Sequence, residues 1–109
     1  MTTLTKKNAK VISTHLGYED HGILTFYLYL DYGGTSQGAG GIALSGGTPT
    51  KFMDFRILSD ILGTVGVEHW EDLRGRSVVA LLDGDGWDAQ VRGLENFLGT
   101  KQMLWEDYK

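Results

Sequence analysis

The chain has 109 residues, ten Lys plus Arg against fourteen Asp plus Glu for a net charge of −4, sixteen Gly, one Pro and no Cys. A chain of this length buries roughly two-thirds of its unfolded surface, enough for one core and not for two. Without Cys there is no disulfide framework, thiolate zinc site or cysteine nucleophile, and no stretch approaches the ~18 apolar residues of a membrane span, so a single cytoplasmic domain over residues 1–109 is expected.

Lys6, Lys7 and Lys10 form the main basic cluster, and residues 1–8 read as a loose N-terminal arm. From Ala9 to Leu16 the chain alternates, with Val11, Ser13 and His15 on one side and Ile12, Thr14 and Leu16 on the other, which predicts a strand. A turn bracketed by Gly17 and Gly22 follows. Ile23 to Tyr32 then gives the strongest periodic signal: Leu24, Phe26, Leu28, Leu30 and Tyr32 share one face, Thr25, Tyr27, Tyr29 and Asp31 the other. The first face suits a core, and the two strands suit a hairpin.

Glycines at 33, 34, 38, 40, 41, 46 and 47 surround the apolar run Ile42-Ala43-Leu44, which predicts a bent or bulged edge strand. Thr48-Pro49 supplies an N-cap and a first helical residue. Phe52, Phe55, Leu58, Ile61, Leu62 and Val65 recur at helical spacing, so one amphipathic helix is expected to end near Gly63 or Gly66. Trp70 and Leu73 suit one further helical turn, stopped by Gly75. Ser77–Leu82 and Ala89–Leu98 read as strands around the turn Asp83-Gly84-Asp85-Gly86, and Met103-Leu104-Trp105 as a last short strand. The fold class that follows is α+β: an antiparallel sheet of five or six strands with one main amphipathic helix packed on one face.

Several motifs fail on their physics. Gly38-Ala39-Gly40-Gly41-Ile42-Ala43 fits the relaxed dinucleotide fingerprint, but Leu44-Ser45-Gly46-Gly47 intervenes where a helix N-terminus must hold the phosphate. Asp83 to Asp88 resembles a calcium loop only at its first and third positions; Trp87, Asp88 and Leu94 occupy positions that need other residues. His15, His21, Glu19 and Asp20 flank one turn without a recognised metal spacing, and His69 lies among Glu68, Glu71 and Asp72 on one short turn. No metal, no cofactor and no catalytic residue is expected from these patterns. A pI near 5.2 with scattered basic residues also argues against a general nucleic-acid binder.

Aromatic residues on a strand face are the better candidates, because Tyr and Trp carry much interface energy at low entropic cost. The candidate partner contacts are Tyr27 and Tyr29, the acids Glu19, Asp20, Asp83 and Asp85, and Trp87. Trp105 and Tyr108 are open between an interface and the core. A second reading takes the glycine-rich segment as the lining of a small-ligand or nucleotide pocket in an oligomer.

Three stretches carry a resemblance: Leu16-Gly17-Tyr18-Glu19-Asp20-His21-Gly22-Ile23-Leu24-Thr25, Leu30-Asp31-Tyr32-Gly33-Gly34 with Gln37-Gly38-Ala39-Gly40-Gly41, and Val65-Gly66-Val67-Glu68-His69-Trp70-Glu71-Asp72-Leu73-Arg74-Gly75. Together they resemble small accessory proteins of tailed phages and prophages, with a departure at Ala39, where an aromatic is expected in that group. The resemblance implies a non-enzymatic inhibitor of a bacterial defence system, of anti-CRISPR type, in the host bacterial cytoplasm. Its implied partner is a host defence-complex subunit, bound stoichiometrically, and a homodimer is compatible with that role.

Overall fold

The computed structural model describes residues 4–18, 24–32, 36–45, 56–86 and 89–108. Six strands, β1 (Thr5–Tyr18), β2 (Leu24–Asp31), β3 (Ser36–Ser45), β4 (Ser77–Leu82), β5 (Val91–Glu95) and β6 (Gln102–Leu104), form one sheet in the order β3-β2-β1-β4-β5-β6. Every neighbouring pair is antiparallel. Among the described residues, one helix, α1 (Arg56–Val65), and two short 3-10 turns, Trp70–Asp72 and Trp105–Tyr108, join the sheet in an α+β architecture. The sheet curls, bringing β3 back towards β5, and α1 packs against β5, β6 and the last 3-10 turn.

The core fills the concave side of this curl. Val11, Phe26, Leu28, Leu30, Val78, Ala80, Leu82, Val91 and Leu94 come from the strands, Ile57 and Ile61 from α1, and Leu73 from the segment before β4. The apolar face expected of β2 is this inner face, with Phe26, Leu28 and Leu30 fully buried. Phe26 lies edge-on to both Trp70 and Trp105, with ring centroids 6.3 and 6.1 Å apart. Trp105 is therefore a core residue, and its indole N–H donates to the Val91 carbonyl at 3.2 Å. Tyr108 is half-buried and donates its hydroxyl to Asp60, tying the last turn to α1.

Two bulges set which side chains enter the core. Val11 pairs with Leu30 and Ser13 with Tyr29, leaving Ile12 as an extra residue in β1. The single alternation expected from Ala9 to Leu16 is thus broken: Val11 shares the inner face with Thr14 and Leu16, whereas Ser13 and His15 lie outside. In β5, Leu82 pairs with Val91 and Leu81 with Gly93, so Arg92 is extra. That insertion lets Val91 and Leu94, three residues apart, both reach the core.

The segment read as a loose arm is partly structural. Thr5–Asn8 begin β1 and pair with Leu82–Val79, because β4 offers a buried apolar strand whose open edge needs a partner. Lys6 reaches over the convex face to Glu95, with Nζ 3.2 Å from Oε1 and 3.1 Å from Oε2. Lys7 turns its ammonium over the Tyr32 ring, 5.6 Å from the centroid.

Other boundaries move for local reasons. β5 ends at Glu95 instead of reaching Leu98, since Asn96 folds the chain back. Its Oδ1 accepts the Thr100 and Lys101 amides at 2.7 and 3.3 Å, and the short polar side chain replaces the ladder. Phe97 and Leu98 consequently lie at an exposed tip, Leu98 being 85% accessible. The helix stops at Val65, where Gly66 takes φ +91° and its amide bonds the Leu62 carbonyl at 2.8 Å. The helix start expected at Thr48-Pro49, with Phe52 and Phe55, lies outside the described residues.

Gly93 is required by close packing. A Cβ there would stand 2.1 Å from the Met103 carbonyl oxygen and 2.9 Å from Leu104 Cδ2. Gly93→Ala is expected to force β6 away from β5 and to lower stability by about 2 kcal/mol or more, read from urea unfolding.

Candidate functional site

The outer face of β2 carries Thr25, Tyr27, Tyr29 and Asp31, as the alternation predicts. Cross-strand pairing sets His15 of β1 beside Tyr27 and Ser13 beside Tyr29. The side chains form a row: His15 and Tyr27 have ring centroids 5.7 Å apart, tilted at 46°, and Tyr27 and Tyr29 stack at 6.0 Å and 23°. On the far side, β3 pairs Gly38 with Tyr29 and Gly40 with Tyr27. The Tyr29 ring lies over Gly38, where an added Cβ would sit 3.4 Å from its Cε1. At this position glycine serves to leave the aromatic ring room.

Tyr27 is half-buried and Tyr29 is 41% accessible. Their rings cannot join the core, because the opposite parity of β2 already supplies Phe26, Leu28 and Leu30 to it. The row therefore stands on a backbone fixed from beneath by fully buried side chains. His15, which the sequence sets with His21, Glu19 and Asp20 around a turn without a metal spacing, packs in the aromatic row beside Tyr27. Its three companions lie outside the described residues, as does Trp87. Among the described residues no group of three His, Asp or Glu is placed to hold a metal.

Of the acidic candidates, Glu19 and Asp20 lie outside the described residues, and Asp83 and Asp85 do not join Tyr27 and Tyr29. Asp83 follows Leu82, which pairs with Thr5 at the start of β1, whereas Tyr27 pairs with His15 far along the same strand. At ~3.3 Å per residue these positions are roughly 30 Å apart along β1. Asp83 is also engaged locally. Its Oδ1 accepts the Gln90 amide at 2.9 Å, and its Oδ2 meets Nε and Nη2 of Arg92 at 3.0 Å each. The Asp83 amide in turn donates to the Gln90 carbonyl at 3.1 Å. The bulge in β5 is what turns Arg92 towards this loop. Asp85 is exposed and belongs to the same loop.

The Gln90 amide, helped by Arg92, holds the Asp83 carboxyl below its ordinary value of 3.8. His69 and Asp72 make a second, exposed pair at 3.4 Å on the turn after α1. Such pairs carry little energy in water.

No family model, curated protein or solved structure matches this chain. Among the described residues, no helix is long and apolar enough to cross a membrane.

Because Asp83 titrates lower in the folded chain than in the unfolded one, its charge stabilises the fold above pH 3.8, and that contribution disappears as pH falls through the folded value. Asp83→Asn keeps an acceptor for Gln90 and removes the charge. The stability gap between the two chains, measured by urea unfolding from neutral pH downward, is expected to be widest at neutral pH and to close in acid.

Proposed function

We propose that the chain is a non-catalytic binding domain that docks a protein partner on the outer face of β1 and β2, with Tyr27 and Tyr29 as anchors. The supporting observation is the Tyr27–Tyr29 stack, partly open to solvent, on a sheet whose other face is the core. Each ring presents a broad apolar surface and a hydroxyl that can bond on arrival. Their strand positions are already ordered, so little conformational entropy is lost on binding. Aromatic side chains placed centrally in this way are the kind that dominate interface energies.

The acidic loop at Asp83 and Asp85 is too far along β1 to share one small contact with the tyrosines, so the reading rests on the aromatic row. Taken with the resemblance of the three quoted stretches to phage accessory proteins, the finer reading is a stoichiometric inhibitor. It would cover a working surface of a bacterial defence complex and block it sterically.

The test is binding to purified defence complexes by calorimetry, with partners first found by gentle affinity purification from a bacterial host carrying active defence systems. Tyr27→Ala combined with Tyr29→Ala is expected to weaken the recovered interaction by about thirtyfold or more, the scale of losing a hot spot of about 2 kcal/mol. The unfolding midpoint should change little, because the rings lie outside the core. Unchanged affinity in the double variant would remove this face from the reading.

A further inference from the structure

β1 is longer than its neighbour on one side. Its first half, Thr5–Lys10, pairs with β4, which begins at Ser77 opposite Lys10, and from Lys10 to Tyr18 it pairs with β2 on the other side. One more bond pair extends the contact: Val11 donates to the Arg76 carbonyl at 2.9 Å and accepts the Gly75 amide at 2.7 Å. Beyond Val11, among the described residues, no strand pairs with the side of β1 that faces away from β2.

The direction of each backbone group follows from the alternation of antiparallel ladders. Val11 points its N–H and C=O away from β2, so the Val11–Leu30 pair is the non-bonded kind. Past the bulge, Ser13, His15 and Gly17 exchange bonds with Tyr29, Tyr27 and Thr25. Thr14, Leu16 and Tyr18 then present their N–H and C=O groups to the open side. This is a strand edge, with Leu16 42% and Tyr18 69% accessible and Ile12 exposed beside them.

Open edges are normally blunted by Lys, Pro or inward charges. Here the charges lie where they give no such protection. Lys6, Lys7 and Lys10 occupy the half of β1 that pairs with β4, while Val11-Ile12-Ser13-Thr14-His15-Leu16-Gly17-Tyr18 contains no Lys, Arg, Asp, Glu or Pro. The segment is rich in β-formers.

We infer that this edge pairs with the same edge of a second copy, antiparallel about a two-fold axis at Leu16, to give a continuous sheet across two chains. In that register Leu16 faces its own counterpart, and Thr14 of each copy faces Tyr18 of the other. All three outward positions find ladder partners, as an isologous contact requires. Charge selects the occupant: the chain carries −4, so most surfaces repel a second copy, whereas this window sets no like-charged Lys, Arg, Asp or Glu against one another. The added strand contact is small beside a standard interface, which makes the dimer weak, in the micromolar range or above. The pairing leaves Tyr27 and Tyr29 uncovered and is independent of the proposed partner site.

Sedimentation velocity of the full chain from about 5 µM to about 1 mM tests this. The expected result is a monomer–dimer equilibrium that shifts with concentration over that range. Leu16→Lys sets two ammonium groups against each other at the axis, and Thr14→Pro removes an outward N–H without breaking a bond to β2. Each is expected to weaken dimerisation at least tenfold while far-UV circular dichroism stays unchanged, and Tyr29→Ala is expected to dimerise as the parent chain does. A parent chain that stays monomeric at about 1 mM overturns the inference, and so does either folded edge variant that dimerises normally. Should one edge variant fail to fold, the other decides.

Discussion

β1 carries one residue more than β2 between Val11 and Ser13, and that residue, Ile12, changes the parity of everything after it. Before the bulge, Ala9 and Val11 face the core; after it, Thr14 and Leu16 lie on the side of Leu28 and Phe26, and Ser13 and His15 move to the other. The aromatic row exists because His15 lands beside Tyr27. The edge begins where β4 ceases to accompany β1, next to the bulge. A register without the extra residue would move His15 to the side of Phe26 and Leu28 and take it away from Tyr27.

Arg92 in β5 repeats the device on the other side of the sheet. The extra residue lets Val91 and Leu94 both contribute to the core and sends the guanidinium to Asp83. The charged residues thereby acquire structural work. Lys6 is bound to Glu95, Lys7 caps the Tyr32 ring and Asp83 closes the loop before β5. Lys6, Lys7 and Asp83, which look available to a partner in the sequence, are engaged with neighbouring residues in the fold. Two uncharged features stand beside them: the aromatic row on the outer face and the strand edge of β1.

These two features belong to different bonding systems. The row offers side-chain area and hydroxyl groups, suited to a partner of complementary shape. The edge offers backbone donors and acceptors, suited to another strand. Because they lie on different aspects of the β1–β2 hairpin, both can be occupied at once.

Much of the fold was legible in the residues themselves. Strict alternation fixed the two faces of β2, Ser77–Leu82 read as a strand at its true bounds, and Gly66 and Gly75 marked turns that take positive φ. The helix over Arg56–Val65 followed from apolar spacing. These are local properties: a side chain's parity and a glycine's dihedral freedom need no distant partner to be expressed. Tertiary structure alone decided the rest. Thr5–Asn8 became strand because β4 required an edge partner, Phe97 and Leu98 left β5 because Asn96 captured the returning amides, and Trp105 entered the core because Val91 offered its carbonyl. The bulges at Ile12 and Arg92 have no local signature either, since an extra residue is defined only against the strand opposite. The sequence thus determined which segments could be strands and which faces could be apolar. Pairing between segments far apart in the chain decided which of those faces met the core and which edge stayed open.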